Sequence, residues 1–278
     1  MSENLFAKVN GIKICYKVNG KGDPIFLIHG FGTKKEFWIG QINELSKYFQ
    51  VIWYDIRGAG KSDRPDIPYT MKMHVEDLKG LIDYLKIQKT HLIGHSLGSM
   101  IAQNFTLAYP NQVNKLILLG MLTGIPDEQG LEMFKNNQIA LYKARLKDPI
   151  NAFYNKIKVR VSREFLKSMQ KDPKFKFHSI FSAEDLIKNE GEDPWRPQDI
   201  INNANALSER TILNELHKIN NKTILIAGDK DRLTPKLSSI QAHEQISDSK
   251  LEVIQGGHWF PLEKAPEINE IILDFLKE

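Results

Sequence analysis

The stretch His91-Leu92-Ile93-Gly94-His95-Ser96-Leu97-Gly98 decides how the rest of the 278-residue chain is read. A short strand-forming run leads into a pentapeptide of the form G-x-S-x-G, and helix-compatible residues continue from Leu97 to Ala108 before Pro110. The spacing predicts strand, sharp turn, helix. The glycines are small enough for strand and helix to approach closely, and the serine sits on the turn between them. It would then lie at the amino end of the helix, where the helix dipole and unpaired N–H groups favour developing negative charge. Taken alone, a serine before a helix is an ordinary cap, so the surroundings must decide between cap and nucleophile.

Outward from this turn, apolar runs at residues 24–28, 51–54, 115–119, 223–227 and 251–254 resemble the run at 91–93, and several are followed by segments of helical length. Strands joined by crossover helices form parallel sheets. Near-continuous Ile, Leu and Val, without polar alternation, predict a sheet covered on both faces. Residues 5–9 and 13–18 flank Asn10-Gly11, a two-residue turn signal for an antiparallel hairpin at the sheet edge. The expected class is α/β, with a mostly parallel eight-stranded sheet and flanking helices.

Residues 122–208 read differently. Aromatic and basic residues recur at helical spacing, Pro149, Pro173, Pro194 and Pro197 interrupt them, and no buried strand stands out. The expectation is a helical cap inserted into a core formed by residues 1–121 and 209–278. Between Leu131 and Glu190 there are 13 Lys and Arg against 7 Asp and Glu, so the net charge of +4 is concentrated in that insertion.

Composition narrows the function classes. At 41% hydrophobic and 26% charged residues, with Gly 18 and Pro 12, the chain is an ordinary globular one. At about 150 residues per domain the length gives a prior near two domains, and one core with a sizeable insertion fits equally well. The small net charge and the lack of a nucleic-acid motif exclude a nucleic-acid partner. Glu3 near the N-terminus and the lack of a long apolar run give no export signal, and the apolar stretch 116–125 is too short to span a bilayer. Cys15 has no partner for a disulfide. A cytoplasmic protein without a membrane partner is expected, as monomer or homodimer. No metal-ligand spacing or phosphate-binding glycine loop occurs, and no cofactor is expected.

A serine hydroxyl needs a base to take its proton. His258, in Gly256-Gly257-His258-Trp259 after the run at 251–254, lies at the carboxyl end of the expected sheet. An acid to orient it should follow an earlier strand end, and Asp229 and Asp231 both qualify in Ala227-Gly228-Asp229-Lys230-Asp231. With elbow, acid and histidine in this order, the chain resembles α/β-hydrolase fold enzymes over nearly its whole length. The resemblance implies Ser96 as nucleophile, His258 as base and Asp231 as acid, the last because Gly228 to Asp231 followed by Pro235 fits the family's Gly-x-x-Asp spacing. It also implies an oxyanion hole from the N–H of Leu97 and, in His29-Gly30-Phe31-Gly32, of Phe31, with His29 and the loop from Asp55 to Ser62 bracing the site. His95 is expected to pack away from the nucleophile.

A serine nucleophile sets the chain apart from aspartate-dependent dehalogenases and epoxide hydrolases of this fold. It is similar instead to cap-bearing carboxylesterases, enol-lactone hydrolases and carbon–carbon bond hydrolases. The function expected is hydrolysis of small to medium carboxylic esters or lactones through an acyl-enzyme. The alternatives are carbon–carbon bond or enol-lactone hydrolysis, acyl transfer to an alcohol or amine, and slow-turnover ligand binding. Trp38, Met121, Phe153, Phe165 and Trp259 could line an apolar acyl pocket, although aromatic residues in a helical insertion more often form its own core. The run Lys156-Ile157-Lys158-Val159-Arg160 is either solvated surface or a cationic lure for an anionic substrate.

Overall fold

The computed structural model describes residues 3–125, 127–208 and 212–278. In chain order the elements are β1 (Leu5–Val9), β2 (Ile12–Asn19), β3 (Pro24–Ile28), α1 (Ile42–Leu45), β4 (Gln50–Tyr54), α2 (Met71–Tyr84), β5 (Thr90–His95), α3 (Leu97–Ala108) and β6 (Val113–Leu119). Then come α4 (Glu128–Lys147), α5 (Pro149–Ile157), α6 (Arg163–Lys171), α7 (Ala183–Gly191) and α8 (Pro197–Leu207). The chain ends with β7 (Lys222–Gly228), α9 (Lys236–His243), β8 (Ser249–Ile254), α10 (Phe260–Glu263) and α11 (Ala265–Lys277).

The eight strands form one sheet in the order β1-β2-β4-β3-β5-β6-β7-β8. The β1–β2 hairpin turns at Asn10 and Gly11, both at positive φ, and pairs antiparallel with β4. From β4 to β8 every pairing is parallel. Alternation along the strands divides the core. Phe26, Ile28 and Leu92 pack with Leu78 of α2 and Met100 and Ile101 of α3, while Ile25, Leu27 and Ile93 pack on the other face with Ile268, Ile272 and Phe275 of α11. Both faces of the central strands are dry, which explains their unbroken apolar sequence.

β8 corrects the expectation of burial at every parallel strand. It pairs only with β7, and Lys250, Glu252 and Val253 are exposed. Its alternating charged residues are those of an edge strand.

Between β6 and β7 lie the five helices α4 to α8. Two of the prolines that interrupt this sequence start helices rather than break them: Pro149 opens α5 and Pro197 opens α8. Caps also punctuate the segment, with the side chains of Asp127, Asp148, Ser162 and Ser182 each accepting a backbone N–H of the helix that follows. The expected return to the core at residue 209 lies outside the described residues. No helix among the described residues is long and apolar enough to cross a membrane.

Candidate active site

The G-x-S-x-G turn joins β5 to α3. Ser96 stands at φ 55° and ψ −118°, a conformation that costs a non-glycine residue about 1–3 kcal/mol and persists only where the surroundings impose it. They do so by proximity: a Cβ on Gly94 would lie 2.3 Å from the carbonyl oxygen of Gly98, and one on Gly98 would lie 2.0 Å from that of Ile28 in β3. The Ser96 N–H donates to Leu119 O at 3.0 Å, tying the turn to β6. The side chain makes no cap hydrogen bond to its own helix. Ser96 therefore does not serve as an ordinary cap.

His258 follows β8, and Asp231 follows β7. His258 Nδ1 lies 2.7 Å from Asp231 Oδ2, so this edge of the imidazole carries the proton and donates it to the carboxylate. Asp231 Oδ1 accepts the N–H groups of Leu233 and Thr234, each at 2.8 Å, and Thr234 Oγ1 donates to Oδ2 at 2.6 Å. Burial by itself would raise the Asp231 pKa. The adjoining His258 and the Thr234 hydrogen bonds outweigh burial and hold the carboxyl below its ordinary range. Asp229 is elsewhere, accepting the Gly256 N–H at 2.9 Å. Gly120, at φ 53°, leaves room at this junction, since a Cβ there would lie 3.1 Å from Thr234 Oγ1 and 3.5 Å from His258 Cε1.

The backbone of His258 is held as firmly as its ring. His95 Nε2 donates to the His258 carbonyl at 2.9 Å, and its ring stacks on Phe37. Burial, reinforced by the nearby His258, pushes the His95 pKa down to about 3, so it is neutral and a dependable N–H donor. On the far side of the peptide, the Trp259 N–H donates to Arg160 O at 2.7 Å. Gly257 permits this approach: a Cβ there would lie 2.5 Å from the same oxygen.

Ser96, His258, Thr234 and Gly30, Phe31 and Thr33 of the loop after β3 line one cavity of about 640 Å³, its mouth included. The N–H groups of Phe31 and Leu97 donate to nothing among the described residues. His29 braces this loop, accepting the Ile56 N–H on Nε2 at 3.2 Å with Nδ1 2.9 Å from Gly30 O. Asp55 does so through Lys35, binding its Nζ at 2.7 Å and its N–H at 2.9 Å. The cavity wall is largely apolar, with Phe31, Leu122, Ile125, Phe134 and Leu207 among its members. A serine free of its helix, an imidazole whose far edge is fixed by a carboxylate, and two idle N–H groups constitute the parts needed for nucleophilic attack on a carbonyl.

The aromatic residues expected in an acyl pocket are dispersed. Trp259 lines this cavity and a neighbouring one of about 910 Å³, and Phe153 lines only the neighbour. Trp38, Met121 and Phe165 line neither. Trp38 and Met121 are fully buried in the core on opposite faces of the sheet, and Phe165 packs against Phe177 within the inserted helices. Of the basic run, Lys156 is paired with Glu190 at 2.6 Å, Lys158 is exposed, and Arg160 lines the Ser96 cavity. Sequence reasoning missed Thr234, which no pattern singles out, and the grip of His95 on His258, which depends on a contact across 163 residues.

Comparison with known proteins agrees with this architecture. A family model of the alpha/beta hydrolase fold matches residues 23–265. The chain is 27% identical over 277 residues to a 2-hydroxy-6-oxo-6-phenylhexa-2,4-dienoate hydrolase of Comamonas testosteroni, covering 95% of this chain and 91% of that protein. Among solved structures it is similar to the enol-lactonase from Burkholderia xenovorans LB400, with TM-score 0.83, 22% identity, and 99% and 100% of the two chains covered. It is also similar to an N-acyl homoserine lactone degrading enzyme, with TM-score 0.76, 26% identity, and 98% and 100% covered.

Proposed function

The chain belongs to the alpha/beta hydrolase fold family, and from that premise we propose that it is a serine hydrolase of small to medium carboxylic esters or lactones, with Ser96, His258 and Asp231 as its triad. The observation that carries the proposal is the strained, uncapped Ser96 sharing a cavity with a His258 fixed by Asp231. In this reading His258 Nε2 takes the hydroxyl proton as Ser96 Oγ attacks the carbonyl carbon. The oxygen that becomes negative is received by the N–H groups of Phe31 and Leu97. His258 passes its proton to the departing oxygen, leaving an acyl-enzyme. Water, activated by the same imidazole, then releases the acid. Asp231 holds the imidazole in its reactive tautomer and stabilises the imidazolium. The inserted helices act as a cap that limits the size of the substrate.

A second reading, hydrolysis of a carbon–carbon bond, has its support in the Comamonas testosteroni relative named above, which is similar over almost the entire chain. The test compares p-nitrophenyl acetate, butyrate and octanoate with a panel of ring-fission dienoates and enol lactones, using wild type and Ser96→Ala. The expected result is turnover of the shorter aryl esters, with a loss of about a thousandfold or more in the folded variant. Turnover of dienoates alone would favour the second reading. Equal rates for wild type and Ser96→Ala would remove Ser96 from the reaction.

A further inference from the structure

Arg160 is out of place for a residue from a basic surface run. It is 5% exposed, and among the described residues it is the only Asp, Glu, Lys or Arg lining the cavity that holds Ser96 and His258. One of its donors is used: Nη1 bonds to Lys156 O at 2.6 Å. The guanidinium has five N–H groups, and the rest meet no acceptor among the described residues. No carboxylate among the described residues lies within ion-pair distance of it; the nearby Glu190 is bonded to Lys156 at 2.6 Å, and its charge acts on Arg160 only from beyond that distance. Burial pushes its pKa down to about 10, which leaves it cationic at neutral pH.

A buried charge without a direct ion pair is expensive, and the Glu190 charge offsets only part of that cost, since burial still lowers the Arg160 pKa. The place is well fixed, because the Arg160 carbonyl accepts the Trp259 N–H at 2.7 Å, one residue from His258. The guanidinium fork suits a carboxylate, which accepts two parallel N–H bonds. Resting on the reading of Ser96 and His258 as the reactive pair, we infer that Arg160 is a specificity-determining residue that binds a carboxylate carried by the substrate. The preferred substrates are therefore acid-bearing esters or lactones rather than neutral ones. The apolar wall between Arg160 and the loop of Phe31 receives the carbon chain.

The experiment measures kcat/KM for two matched pairs, p-nitrophenyl hemiglutarate against p-nitrophenyl butyrate, and 4-acetoxybenzoate against phenyl acetate. Wild type, Arg160→Gln and Arg160→Lys are compared, with circular dichroism to verify folding. The expected wild-type preference for the acid-bearing member of at least one pair is about tenfold or more, corresponding to a charge-assisted hydrogen bond. It collapses in Arg160→Gln and is partly retained in Arg160→Lys. A purely structural role would lower both members of a pair together and leave their ratio unchanged; that result, or no wild-type preference in either pair, overturns the inference. If no ester is turned over, calorimetric binding of glutarate decides instead. Binding by wild type but not by Arg160→Gln would uphold the carboxylate site while the esterase reading falls, and absence of binding by wild type would sink the site as well.

Discussion

Replacing Gly98 by alanine tests the elbow through geometry alone. Gly98 does not have a positive φ, so the substitution brings no backbone strain, only a methyl group. That methyl would lie 2.0 Å from Ile28 O, 2.6 Å from Ile28 C and 2.8 Å from His29 O, whereas real Cβ atoms essentially never come closer than 3.0 Å. All three obstructing atoms are backbone of β3 and the loop after it, so no side chain can swing aside. Relief requires α3 and β3 to separate by about 1 Å, and misplacement on that scale costs about a hundredfold in rate. The separation also moves the Leu97 N–H away from the Phe31 loop. Overpacking should lower stability by about 1–3 kcal/mol. The assay is kcat/KM on p-nitrophenyl butyrate together with urea denaturation. Gly191→Ala serves as control, because nothing lies within 4 Å of a Cβ there. If Gly98→Ala kept both wild-type rate and wild-type urea midpoint, steric closure would not be the reason for glycine at this position.

Thr234→Val removes the hydroxyl that donates to Asp231 Oδ2 at 2.6 Å while leaving the two backbone donors to Oδ1. The expected outcome is a fall in kcat of about tenfold with the acid limb of the pH–rate profile displaced, and an unchanged profile would refute the role. Stability should also depend on pH through buried histidines. Burial pushes the pKa of His74 and of His95 down to about 3 in the folded protein, against about 6.5 when unfolded. Below about 6.5 the unfolded chain takes up protons that the folded one refuses, so stability is greatest above that value and declines towards about 3, by up to about 1.4 kcal/mol per pH unit for each histidine. Urea midpoints measured across that range should show the decline, and His74→Phe should make it shallower by one proton; a flat midpoint would contradict the burial of these rings.

The readable parts of this protein are those set by short-range sterics and by period. Gly94 and Gly98 announce the elbow because the backbone contacts there tolerate nothing larger, and the central strands announce themselves because both faces are dry. Asp231 and His258 could be placed because each follows a strand that reaches the same end of the sheet. Properties that depend on which of two apolar surroundings a side chain enters were not readable. Trp38, Met121 and Phe165 have the composition of pocket residues but pack into core. Arg160 is the reverse case, a residue in a sequence that suggests a wet helix face yet withdrawn into the cavity. Local pattern carries no information about the docking of residues 156–161 on the Gly256-Gly257 loop, and that docking decides the fate of Arg160.

The peptide that carries His258 is gripped from two directions, by His95 of the elbow and by the carbonyl of Arg160 in the inserted helices. This arrangement is an interlock. If the segment around Arg160 lifts away, the Trp259 N–H loses its acceptor and the His258 carbonyl keeps only its bond from His95, so opening on that side would loosen the proposed base as well.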